Sequence, residues 1–134
     1  MDPMKDYFKQ DRLARLLGME LLEVAPGAAT ARMTVREDHF NAVNIVHGGA
    51  LFSLADFTFA AASNARGKAA VAINATISFM RPVSSGTLTA RAEEVNASTR
   101  LATYLIRITD EQGRQVALFQ GTVFRKEDPL PFAS

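Results

Sequence analysis

The sequence predicts an α+β domain in which one antiparallel sheet curls around a single long helix. Three observations carry that expectation. Residues 50–64 hold five alanines, two leucines and three phenylalanines, apolar almost all round, as an enclosed helix requires. Strand-like runs lie on either side of it, two before and four after, joined mostly by tight turns, and such runs pair antiparallel. The chain has 134 residues, 48% hydrophobic and 22% charged, which suits one domain around one core.

The elements follow in order. Residues 1–17 are expected to hold an N-terminal helix: over residues 6–17, Phe8, Leu13, Leu16 and Leu17 fall on one side and Gly18 ends the helix. Residues 19–24 and 28–35 read as two strands around the Pro26-Gly27 turn, and residues 36–46 as a loop. After the long helix, strands are expected at 69–80, 87–95, 101–109 and 115–125. Arg81-Pro82, Ser84-Ser85-Gly86 and Asp110-Glu111-Gln112-Gly113 separate them. In residues 101–109, Ala102, Tyr104, Ile106 and Ile108 share one face. Residues 128–134, with Pro129 and Pro131, read as a flexible tail.

Composition removes several function classes. Fifteen Lys+Arg against fourteen Asp+Glu leave a charge of +1, with no run of like charge to track a nucleic acid backbone. There is no cysteine for a disulfide, a thiol nucleophile or a thiolate metal site, and two histidines do not make a histidine-rich centre. Neither kind of metal centre is therefore expected. The first ten residues carry Asp2, Lys5, Asp6 and Lys9, without the apolar run of a signal peptide. The apolar stretch 50–62 is shorter than the ~20 residues a membrane span needs. A cytoplasmic protein with no membrane partner is expected.

One sheet curled around one helix leaves strand edges and a helix flank uncovered. Pairing with a second copy covers them, so a dimer at least is expected.

Three features carry candidate chemistry. Asp56 is the only carboxylate between Asp38 and Glu93 and sits in the middle of the long helix. Two readings stay open for it: a structural aspartate satisfied by loop amides, or a general base or nucleophile whose pKa burial raises. His47-Gly48-Gly49 opens the helix, where first-turn amides can hold a developing oxyanion and glycines let a ligand approach. The glycines equally serve a tight loop-to-helix entry, and His47 a capping or packing role. Asn41, six residues earlier, is a turn former whose side-chain amide could join the Gly48 N–H. His47 and Asp56 are nine residues apart, on opposite sides of a helix and ~13 Å apart along it. They cannot serve one reacting atom from the same helix, so a site using both is shared between subunits.

Asn41, then five residues, then His47-Gly48-Gly49 and on through Leu51-Phe52-Ser53-Leu54-Ala55 to Asp56 resembles the PaaI-like, phenylacetate-degradation type of acyl-CoA thioesterase in the hotdog superfamily. The likeness continues through Ile77-Ser78-Phe79-Met80-Arg81-Pro82 and Val116-Ala117-Leu118-Phe119-Gln120-Gly121, covering roughly residues 17–125. The resemblance implies a hotdog fold, a homodimer sharing active sites, and its doubling to a homotetramer. The implied reaction is hydrolysis of an aryl- or medium-chain acyl-CoA thioester to the free acid and CoA, without metal or cofactor.

By position, the Gly48 N–H and the Asn41 side chain would polarise the carbonyl, and Asp56 of the neighbouring subunit would activate water or attack. His47 would shape the loop and hold Asn41. Where some relatives place a serine or threonine after the helix, this chain has Ala72, with Asn74 and Thr76 as nearest polar neighbours. Those two residues, Gly49, Phe52 and Arg81 are the candidate substrate contacts. Arg66, Lys68 and Arg125 are further candidates for the phosphates of CoA, and Phe57, Phe59 and Phe79 for the pocket wall. Two rival readings remain: a hotdog hydratase using His39 as base, and a non-catalytic acyl-CoA-binding or regulatory protein.

Overall fold

Asp2 and Asp11 each begin a short helix. In the computed structural model, which describes residues 2–133, the Asp2 carboxylate accepts the Met4 and Lys5 N–H groups at 3.1 and 3.2 Å and starts α1, Pro3–Phe8. Asp11 accepts the Ala14 N–H at 3.0 Å and starts α2, Arg12–Leu16. The single helix expected over residues 6–17 is therefore two. Asp11 holds an extended backbone (φ −60°, ψ 115°) to cap the second, which interrupts the first. Met1 and Ser134, the ends of the expected domain, lie outside the described residues.

The remaining elements are β1 (Met19–Ala25), β2 (Ala28–Thr34), a 3₁₀ turn (Glu37–His39), α3 (Gly48–Asn64), β3 (Lys68–Phe79), β4 (Thr87–Ala97), β5 (Leu101–Thr109), β6 (Gln115–Pro129) and a second 3₁₀ turn (Pro131–Ala133). The strands form one antiparallel sheet in the order β1-β2-β4-β5-β6-β3. α3 packs on one face of it. Leu54 and Phe59 of the helix and Met33, Leu88, Ile106 and Ile108 of the sheet are buried together in one core. The expected inward face of β5 holds, with Ala102, Tyr104, Ile106 and Ile108 all buried. Among the described residues no helix is long and apolar enough to cross a membrane.

The chain's C-terminal end is not a loose tail. Asp128 and Pro129 continue β6, and the Leu130 N–H donates to the Gly67 carbonyl at 2.7 Å. Phe132 stands edge-on to Tyr7 and Phe8, with ring centroids 5.5 and 5.7 Å away. Three rings thus tie α1 to the end of the chain.

α3 is not enclosed on all sides either. Gly49 and Asp56 are exposed, and Phe52, Ser53, Ala60 and Asn64 are half-buried, so one stripe of the helix faces outward. β3 is an edge strand of the sheet, with one side unpaired. Val71, Ile73, Phe79 and Met80, on and just after it, are each about half exposed (47–58%). An apolar, unpaired edge of this kind favours pairing with another strand.

Beyond the C-terminal end of α3 lies a part-buried charged cluster. Glu94 accepts the Tyr104 O–H at 2.7 Å and two Arg66 N–H groups at 2.7 and 3.2 Å, and the Arg125 guanidinium stands 3.9 Å away. Lost hydration pushes the Glu94 carboxyl up, but the Arg66 and Tyr104 hydrogen bonds outweigh it and hold the group below its ordinary value. Burial, with the Glu94 bond added, pushes the Tyr104 hydroxyl up to about 12.

Candidate active site

The loop before α3 is closed by backbone bonds. Phe40 bridges Val46, and the Asn41 N–H donates to the Ile45 carbonyl at 2.9 Å. The Asn41 side-chain oxygen accepts the Val43 and Ile45 N–H groups at 3.0 and 3.3 Å. Asn44 takes the left-handed conformation (φ 64°) that asparagine tolerates, which lets so short a loop turn back. With its oxygen engaged, Asn41 keeps its Nδ2 hydrogens to donate elsewhere; they have no partner among the described residues.

His47 is the N-cap of α3. Its Nδ1 accepts the Gly49 N–H at 2.8 Å, and its carbonyl accepts the Ala50 and Leu51 N–H groups at 2.9 and 3.2 Å. The Gly48 N–H is left without a partner among the described residues. A Cβ at Gly48 would lie 3.0 Å from the Phe79 ring, so the bare α-carbon is what lets that ring close over the helix start.

These groups meet in a cleft of about 340 Å³ lined by Asn41, Gly48, Leu51, Phe79, Arg81 and Val83, among others. Arg81 is exposed and makes no ion pair among the described residues. Two neutral N–H donors in an apolar cleft can polarise a carbonyl oxygen. No carboxylate lines the cleft, so it holds no base of its own.

Asp56 lies on the outward stripe of α3 and does not line that cleft. Although exposed as a residue, its carboxyl is partly walled by protein. Lost hydration pushes its pKa above the ordinary aspartate value, and the charge of Asp11 adds to the rise. No local pattern marks Asp11 as a neighbour, because 45 residues separate the two. Its only local signature is the cap of α2.

The profile of the Thioesterase superfamily matches residues 43–117, more than half of the chain and including the start of α3. The chain belongs to the thioesterase superfamily. Within it, this thioesterase-family chain is 41% identical over 119 residues to a protein of Escherichia coli named acyl-coenzyme A thioesterase PaaI, covering 88% of this chain and 85% of that one. The structure of E. coli PaaI superposes with a TM-score of 0.88 at 38% identity, covering 92% and 91% of the two chains. A Thermus thermophilus protein of known structure gives a TM-score of 0.83 at 46% identity, covering 87% and 98%. The PaaI resemblance and the hotdog fold expected from the sequence are both established by these matches.

The structure places the remaining candidates as follows. The Gly49 N–H is consumed by His47, so that amide is not free for a substrate. Among the described residues His47 bonds to Gly49, Ala50, Leu51 and the His39 carbonyl and not to Asn41, which its own loop holds instead. Phe52 is half-buried, edge-on to the core residue Phe119 at 5.2 Å. A β-bulge between Ala72 and Asn74 sets Asn74 opposite Thr122 and Thr76 opposite Gln120, while Gly121 and Phe119 alternate with these on the buried face of β6. Asn74 and Thr76 consequently project from the sheet face away from α3, and the structure does not bring them to the cleft.

His39 is fully buried. Its Nδ1 accepts the Arg36 N–H at 3.1 Å and its Nε2 lies 2.8 Å from the Leu17 carbonyl. Both ring nitrogens are thus occupied by backbone, which removes the geometry a hydratase base needs. Of the four basic candidates, Arg66 and Arg125 face Glu94 and Lys68 pairs with Glu127, leaving Arg81 at the cleft.

Proposed function

We propose that this chain is an acyl-CoA thioester hydrolase, converting an aryl- or medium-chain acyl-CoA and water to the free acid and CoA. One observation carries the reading. The cleft at the start of α3 offers two unpartnered N–H donors and no carboxylate, while the carboxylate with a raised pKa stands on the open stripe of the same helix. Each is half of a hydrolytic site. Pairing two chains through the unpaired β3 edges and the open stripes of α3 supplies the other half to each.

In this reading the Gly48 N–H and Asn41 Nδ2 hold the thioester carbonyl oxygen as it gains charge. Asp56 of the neighbouring protomer takes a proton from the attacking water, which displaces the CoA thiolate, or attacks the carbonyl itself, expelling that thiolate to form an anhydride that water then opens; the thiolate takes up the proton released by the water to leave as CoA. The raised pKa brings Asp56 closer to the operating pH, where a general base is most effective. Arg81 lines the cleft, and in this reading its guanidinium takes a CoA phosphate. The thioesterase named among the relatives supports the reaction class.

The test is free-thiol release from phenylacetyl-, benzoyl-, hexanoyl- and palmitoyl-CoA, with wild type and Asp56→Asn side by side. Turnover by wild type and its loss in Asp56→Asn, with acyl-CoA still bound, are expected. Near-wild-type turnover by Asp56→Asn contradicts the assignment of Asp56. Saturable binding by wild type without thiol release would turn the reading to a non-catalytic acyl-CoA binder.

A further inference from the structure

A second cavity of about 340 Å³ lies on the outward stripe of α3, one helical turn beyond Asp56. Tyr7, Phe8 and Asp11 form one wall, and Phe57, Ala60 and Asn64 stand in the other. Ala60 follows Asp56 by four residues and Asn64 by eight, so the cavity runs from ~6 to ~12 Å along the helix from the carboxylate. Asp11, in the lining, lies close enough for its charge to act on the Asp56 carboxyl, which stands one helical turn before Ala60.

Five of the eight lining residues, Tyr7, Phe8, Phe57, Ala60 and Ala61, offer apolar surface to an occupant, beside the polar Gln10, Asp11 and Asn64. Asn64 spends its side-chain amide on the Ala60 carbonyl (2.9 Å) and its oxygen on the Ala70 N–H (2.8 Å). Asp11 spends one oxygen on the cap of α2. The Tyr7 and Phe8 rings meet at 5.2 Å and nearly perpendicular, braced by Phe132, so the aromatic wall is fixed. At the ~30 Å³ an atom-sized unit such as water takes in a liquid, the space holds on the order of ten non-hydrogen atoms. Tyr7, Phe8, Asp11 and Phe132 lie outside residues 43–117, the span that the Thioesterase superfamily profile matches.

We propose that this cavity receives the acyl group of the thioester, and that Tyr7 and Ala60 set the length of acyl chain accepted. The inference rests on the placement of Asp56 at the reacting carbonyl. A thioester held at Asp56 would direct its acyl tail along the helix stripe into the cavity, while the CoA portion leaves past the donor cleft. The α1–α2 turn would then act as the end wall of the site, and the ring cluster with Phe132 as its brace.

The experiment is kcat/KM by thiol release over straight-chain acyl-CoAs from butyryl to palmitoyl, for wild type, Ala60→Leu and Tyr7→Ala. Ala60→Leu fills the space beside Asp56, and the octanoyl-to-butyryl ratio should fall ~10-fold or more, the scale of a misfitted methylene group or two. Tyr7→Ala opens the end wall, and the dodecanoyl-to-octanoyl ratio should rise by a similar factor. A partly unfolded preparation lowers all substrates alike and leaves these ratios unmoved, so the two opposite shifts are diagnostic. Unmoved ratios in both variants, with wild type active and Asp56→Asn inactive, overturn this inference and leave the thioesterase reading standing. A wild type inactive on every acyl-CoA overturns both.

Discussion

The His47 Nδ1 accepts the Gly49 N–H at 2.8 Å, and this bond singles out the amide before it as the donor with no partner at the start of α3. One side chain thus caps the helix and selects the Gly48 N–H for other work. His47→Ala should cost about 1 kcal/mol of stability, as N-cap removal does, and lower kcat as the loop loses its anchor. His47→Asn, itself a good cap, should restore the melting temperature. Thermal melts beside kcat check both, and an unchanged Tm in His47→Ala would contradict the capping role.

Gly48→Pro deletes the candidate donor with little other change. Position 48 is the first residue of α3, where proline is tolerated, and His47 already holds φ −60° and ψ 138°, suited to a residue before proline. The added ring must push back Phe79, which is half exposed and free to give. In Gly48→Pro, kcat should fall by about 10²–10³, the scale of losing one oxyanion donor, with the fold retained by circular dichroism. Wild-type turnover in Gly48→Pro would remove the Gly48 N–H from the mechanism.

Asp56 is held above its ordinary pKa of 3.8 by lost hydration and then by Asp11. The folded chain therefore binds its proton more tightly than the unfolded chain does. The stability this contributes is fully present below pH 3.8 and is lost as pH rises through the higher folded value. At pH 7 the charged group is a liability that asparagine lacks. Asp56→Asn should thus melt higher than wild type at pH 7, and the gap should close at pH 3. Denaturation curves at the two pH values read it directly.

Tyr104 gives the opposite end of the scale. Burial and its bond to Glu94 push the hydroxyl up to about 12, so the folded state keeps the phenol neutral where an unfolded tyrosine would ionise near 10. Its contribution is present below pH 10 and lost as pH rises toward 12. Tyr104→Phe should destabilise by about 1.5–3 kcal/mol at pH 7, the worth of a hydrogen bond to a charged group. The difference between the two proteins should shrink above pH 10, which urea titrations at pH 7 and pH 11 would show.

Much of this was legible in the chain. The inward face of β5 follows from strict alternation at Ala102, Tyr104, Ile106 and Ile108, and α3 from its alanine-rich run. The donor cleft follows from Asn41 and His47-Gly48-Gly49, because loop and cap bonds are local. What failed was long-range or hidden by composition. An outward stripe of Ser53, Asp56 and Ala60 reads like a buried one, since the hydropathy of small residues does not separate a core from an open face. The bulge that turns Asn74 and Thr76 away from α3 sits at Ile73, with no glycine or proline to mark it. Phe132 meets Tyr7 across nearly the whole chain, a contact no local pattern announces.

The central claim is that one working site draws Asp56 from one chain and the Gly48 and Asn41 donors from another. It is tested most directly by co-expressing Asp56→Asn and Gly48→Pro chains under different affinity tags and isolating the hybrid by two successive purifications. In a shared-site dimer the hybrid has one site with both defects and one with neither. Thiol release should then recover to roughly half of wild type, although each parent alone is nearly inactive. A hybrid as inactive as its parents would contradict the account.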